Sequence, residues 1–236
     1  MKQAQSVLLV PGLMCNEAVW APVMSLMGHA ATCQVVDHGT ANTLPQMAEQ
    51  LLRHAPARFA LVGHSMGARV ALEVYRQAPE RVNRIALLDS GHLPRALGDA
   101  GAQEKDKRYQ LLHMARTQGV RSMASVWVQG MVHPRRLSDA ALIESIVQMF
   151  ERKTPEIFEA QIQALLNRPD ATTVLQSLTV PTLIACGDQD LWAPISQHQA
   201  MQALVPDAVL ETVPDAGHMA PMEQAQAVAA LLLRWL

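Results

Sequence analysis

Short apolar runs recur along the chain at Val7–Val10, Gln34–Val36, Phe59–Val62, Ile85–Leu88, Leu183–Cys186 and Val209–Leu210. Their length suits strands, and most contain almost no polar residue, as strands buried on both faces do. Segments with helical spacing separate them. In Met66–Gln77, for example, Val70, Ala71 and Val74 fall on one face. This alternation predicts a parallel sheet covered on both sides by helices. The rhythm breaks between Leu93 and Leu178, where no strong strand signal occurs. Several helices are predicted there, broken near Gly119, Gly130, Pro134 and Pro155.

One junction in this pattern carries chemistry. Leu61-Val62-Gly63-His64-Ser65-Met66-Gly67-Ala68 places a G-x-S-x-G pattern between a predicted strand and a predicted helix. The glycines allow a turn too tight for side chains, which holds the Ser65 hydroxyl out at the carboxyl edge of the sheet. Helix-opening amides follow it and favour developing negative charge. A serine hydroxyl is a poor nucleophile alone and needs a base, which needs an orienting acid. Both residue types follow later strands. Thr182–Cys186 leads into Gly187-Asp188-Gln189-Asp190, and Ala208–Val213 leads into Pro214-Asp215-Ala216-Gly217-His218. In a parallel sheet these positions share an edge with Ser65. Three aspartates compete for the acid's role: Asp188, Asp190, and Asp89 at the end of Ile85–Leu88.

Among nine histidines, His218 has the position for the base. His64 should diverge from Ser65 on a tight turn and reads as a packing or hydrogen-bonding residue. His92 is expected to line the pocket. His29, His38, His54, His113, His133 and His198 fall in segments that read as surface helix or loop. No H-x-x-x-H or C-x-x-C spacing occurs, so neither a metal nor another cofactor is expected.

Together with Val10-Pro11-Gly12-Leu13 and Pro79-Glu80-Arg81-Val82, these motifs span nearly the whole chain. On them the chain resembles the α/β-hydrolase superfamily, in its small, capped, esterase-like branch. The resemblance implies one α/β-hydrolase domain over 1–236 with a reduced, mostly parallel six-stranded sheet and a helical cap at 93–178. It places Gln34–Val36 at a sheet edge and the acid on Asp190. The oxyanion donors become the backbone N–H groups of Leu13 and Met66. Many relatives have His-Gly where this chain has Pro11-Gly12. The implied activity is hydrolysis of a small or medium carboxylic ester through Ser65, His218 and Asp190. Lactone or carbon–carbon bond hydrolysis on the same residues is the alternative, as is a ligand-binding receptor that retains the fold. Haloalkane and epoxide hydrolysis are disfavoured, because those relatives carry aspartate at the position of Ser65.

Composition narrows the partners. Half of the 236 residues are hydrophobic and the formal net charge is −2, which argues against nucleic-acid or membrane-surface binding. Val7–Val10 is too short for a signal segment, and the three scattered cysteines fit reduced thiols, so the cytoplasm is the expected location. Cys15 reads as a small buried hydrophobe near the oxyanion loop. The cap carries Met114, Met123, Trp127, Met131, Met149, Phe150 and Phe158. Trp127 and Met131 are candidates to roof an adaptable, apolar pocket. It also holds Lys105, Lys107, Arg108, Arg116, Arg121, Arg135, Arg136, Arg152 and Lys153, interleaved with acids. These read first as a solvated surface. Docking of an acyl-carrier protein is the second reading.

Overall fold

A computed structural model describes residues 5–236. Its six strands are β1 (Gln5–Val10), β2 (Ala31–Val35), β3 (Phe59–His64), β4 (Val82–Leu88), β5 (Thr182–Gly187) and β6 (Val209–Val213). They form one sheet in the order β2-β1-β3-β4-β5-β6, with every pair parallel. Every residue of β3 and β5 is buried, as continuous apolar runs require. The edge strands β2 and β6 are half exposed. That explains why β2 begins earlier than its apolar run: Thr32 and Cys33 pair with Ser6 and Val7, but an edge strand needs little apolar content.

Helices α1 (Ala21–Met27), α2 (Leu44–His54) and α3 (Met66–Gln77) join the first four strands. Between β4 and β5 lie α4 (Gly98–Gln118), α5 (Val120–Trp127), α6 (Ala140–Glu151), α7 (Pro155–Leu166) and α8 (Thr172–Gln176). The remainder are α9 (Ile195–Leu204), α10 (Ala220–Glu223) and α11 (Ala225–Trp235). Pairing of α2 with α3 and of α1 with α11 flanks the sheet. Local chemistry sets the helix starts: the Thr43, Asp139 and Thr154 side chains accept from Gln46, Leu142 and Ile157 N–H groups.

The chain runs outward from β1 to β2, then returns across β1 to form β3. Such a reversal of winding leaves a crevice at the carboxyl ends of the strands. The loops after β1, β3, β4, β5 and β6 all open onto that edge. Helix α4 is polar almost all round, burying only Gly101, Leu112 and Ala115. Carboxylates of the chain pair with Arg108, Arg116, Arg121, Arg135, Arg136, Arg152 and Lys153. Among the described residues, no helix is long and apolar enough to cross a membrane.

Candidate active site

Ser65 stands between β3 and α3 with φ of 56°, a conformation costly for any residue but glycine. Packing enforces it. A Cβ at Gly63 would strike the backbone of Gly67 and Ala68, and one at Gly67 would strike Val10 and Pro11. The Ser65 N–H donates to the Leu88 carbonyl at 2.8 Å, and the Ser90 hydroxyl donates to the Ser65 carbonyl at 2.8 Å. The turn is therefore clamped against β4.

Ser65 Oγ lies 2.8 Å from His218 Nε2, and His218 Nδ1 lies 2.8 Å from Asp190 Oδ2. In the neutral ring, Nδ1–H donates to Asp190 and leaves Nε2 to accept the serine proton. Asp190 Oδ1 accepts the N–H groups of Trp192 and Ala193, both at 2.9 Å. Burial alone would raise the Asp190 carboxyl, but His218 and those amides hold it below the usual carboxylate range. Asp188 instead accepts the Ala216 N–H at 3.2 Å and braces the turn before His218. Asp89 makes no hydrogen bond to His218: its Oδ1 accepts the Gly187 N–H at 2.8 Å, and its Oδ2 stands 3.7 Å from His64 Nε2. Its carboxyl is raised well above 3.8, first by burial and then by the charge of Asp190.

Sequence reading missed the residues that hold this site in place. Glu223 Oε1 accepts from Gly217 and Met219, at 2.9 and 3.1 Å, and Oε2 accepts from His133 at 2.7 Å. One buried carboxylate thus fixes both sides of His218. Its only sequence signal is an acid five positions after that histidine. The His218 N–H donates to the Met131 carbonyl at 2.6 Å. Buried Gln161, on α7, accepts the Met14 N–H at 2.8 Å and anchors the loop after β1, where Met14 has φ of 63°. Nothing in the local sequence marks Gln161 for that task.

Three histidines read as surface residues are buried, because each satisfies backbone groups. His38 Nε2 reaches the Pro11 carbonyl at 3.1 Å, His133 Nδ1 accepts from Arg135 at 3.0 Å, and His198 Nε2 accepts from Ser90 at 3.1 Å. His29, His54 and His113 are exposed. His64 bonds through Nε2 to the His218 carbonyl at 2.7 Å, and burial pulls its pKa to about 3, so it is neutral.

A cavity of about 410 Å³ opens over Ser65 and His218, lined in part by Leu13, Met66, Trp127, Met131 and Phe150. Among the described residues, the N–H groups of Leu13 and Met66 donate to no protein acceptor. His92 is absent from the lining. Its carbonyl accepts from Ala171 and ties that stretch to the start of α8, so Ser90 and Gly91 take the place expected for it. Trp192 stacks on Trp127 at 5.7 Å and lies 4.9 Å from the His218 ring. Met123 and Met149 are core residues. Cys15 lines the cavity, yet burial pushes its thiol up to about 12, which makes it inert. No group of three His, Cys, Asp or Glu side chains among the described residues is arranged to hold a metal.

The family model described as the alpha/beta hydrolase family matches residues 7–231. A pimeloyl-[acyl-carrier protein] methyl ester esterase from Nitrosomonas europaea is 26% identical over 222 residues, covering 89% of this chain and 87% of that protein. A thermophilic esterase from Thermogutta terrifontis, solved with malate bound, superposes with a TM-score of 0.85 at 25% identity. That likeness covers 99% of this chain and 89% of the esterase. The fold is also that of the enol-lactonase from Burkholderia xenovorans, with a TM-score of 0.84 at 18% identity over 99% of this chain and 91% of the lactonase. The chain belongs to the α/β-hydrolase family and is a hydrolase of that type.

Proposed function

We propose that the protein is a serine esterase for small or medium carboxylic esters, with Ser65 as nucleophile, His218 as general base and acid, and Asp190 as its orienting partner. The observation that carries this reading is the continuous relay from Ser65 Oγ through His218 to Asp190, with Ser65 and His218 on the wall of one cavity. His218 takes the Ser65 proton as Oγ bonds to the acyl carbon, and returns it to the departing alcohol. The oxyanion forms against the N–H groups of Leu13 and Met66. Water activated by the same histidine then releases the acid. Segment 93–178 serves as the cap, contributing Trp127, Met131 and Phe150 to the cavity wall.

A free small-molecule ester fits better than one delivered by a carrier protein, because most basic cap side chains are already held by carboxylates of this chain. The test is turnover of p-nitrophenyl esters of increasing acyl length by wild type and Ser65→Ala. Hydrolysis lost in Ser65→Ala is the expected result. Silence on every ester from the folded wild type would move the reading to lactone or carbon–carbon substrates.

A further inference from the structure

Arg69 stands one helical turn beyond Ser65 on α3, on the same side of the helix, and lines the cavity that holds Ser65 and His218. Arg108 and Arg168 line it too, and both are committed to Glu104. Arg108 donates through Nε and Nη2 to Oε1 at 3.1 and 2.9 Å. Arg168 grips both oxygens, at 2.7 and 2.9 Å, and gives further bonds to the Leu93 and Leu165 carbonyls.

Arg69 differs. Its hydrogen bond within the described residues runs from Nη1 to the Leu93 carbonyl at 3.0 Å, and no carboxylate among them lies within ion-pair distance. Gly91 keeps the space beside it clear: a Cβ there would sit 3.3 Å from Nη2 and collide with the Gln197 amide. Burial lowers the guanidinium below the usual arginine value, yet it remains a cation at neutral pH. Asp89 also lines the cavity, its carboxyl raised well above the ordinary value by burial and by the charge of Asp190, and Glu104, the other acid in the lining, is engaged by Arg108 and Arg168.

We propose that Arg69 receives a carboxylate carried by the substrate, so that the preferred esters bear a free carboxylate, as the half-ester of a dicarboxylic acid does. This deepens the esterase reading and rests on it. A single uncommitted guanidinium fork matches one carboxylate in bidentate geometry. A phosphate dianion would call for a second free cation, and Arg108 and Arg168 are occupied. Gln197, exposed at the open side of the same cavity, offers an amide next to the fork.

The experiment compares monomethyl half-esters of succinate through pimelate with their isosteric neutral amides, reading the ratio of kcat/KM between the members of each pair. The wild type favours the best half-ester by roughly ten-fold or more, the range of a partly solvated charge-assisted pair. Arg69→Met collapses that ratio towards one, and Arg69→Lys, which keeps the charge without the fork, falls between. A wild type indifferent to the carboxylate, or an Arg69→Met variant with the ratio intact, overturns the proposal. If no ester is turned over through Ser65, the esterase reading fails instead. Calorimetric titration with the free diacids then decides Arg69 alone. Binding to wild type that weakens about ten-fold in Arg69→Met supports the subsite, and equal or absent binding refutes it.

Discussion

Two buried aspartates stand near the proposed site, and their surroundings assign them opposite roles. His218 and two backbone amides hold the Asp190 carboxyl below the usual carboxylate range despite its burial, whereas burial and the charge of Asp190 push the Asp89 carboxyl well above its ordinary value. Asp190→Asn is expected to lower kcat by about three to four orders of magnitude, because the asparagine amide favours the wrong imidazole tautomer. Asp89→Asn is expected to retain most of the activity, and steady-state kinetics on the two variants checks this; the reverse pattern would move the acid to Asp89. The same contrast governs stability. The folded pKa of Asp89 lies above its ordinary value of 3.8, so between the two values the native protein holds a proton that the unfolded chain has released. That contribution is complete below pH 3.8 and is lost as pH rises through the folded value. Asp89→Asn removes the titration, so its Tm relative to wild type is expected to rise from pH 4 to pH 8 in thermal melts.

Placing Ser65, Asp190 and His218 together is work done by loops after strands, and those loops are braced from outside. Glu223 on α10 satisfies three backbone N–H groups around His218, and Gln161 on α7 satisfies Met14 next to Leu13 in the loop after β1. Each buried donor left without a partner costs about 1–3 kcal/mol. Glu223→Ala is therefore expected to lose about 3 kcal/mol or more in denaturant unfolding, with kcat falling further than KM rises, since His218 loses its fixed position. Strand ends were legible in the sequence because turn residues and apolar runs are local signals. These braces were not, because a polar residue that caps a distant backbone group looks like any surface polar residue. His38, His133 and His198 were misread as surface for that reason, and His92 was placed in the pocket without knowledge of its tie to Ala171.

The whole molecule meets across the cavity through an aromatic stack. Trp127 on α5 packs on Phe150 and Phe158 at 5.3 and 5.4 Å, and on Trp192 of the loop after β5 at 5.7 Å. A second, mostly apolar cavity of about 510 Å³, lined by Leu111, Met114, Val126 and Phe158, adjoins the first and shares Trp127 and Trp192 with it. Trp192→Ala is expected to join the two spaces and shift the acyl-length optimum upward, as a chain-length profile would read. Sequence pattern reached the sheet well, since alternating strands and helices describe its six parallel strands, and the stretch between β4 and β5 is helical. It missed the charge arrangement inside, because Arg108 read as one more solvated cap residue and Arg69 as part of an amphipathic helix.

The central claim is that Ser65 is an activated nucleophile, and intact-mass and peptide analysis after reaction with a fluorophosphonate tests it most directly. The account predicts one adduct, on Ser65, that is lost in Ser65→Ala and strongly slowed in His218→Ala. A folded wild-type protein that stays unmodified, or carries its adduct on another residue, would contradict it.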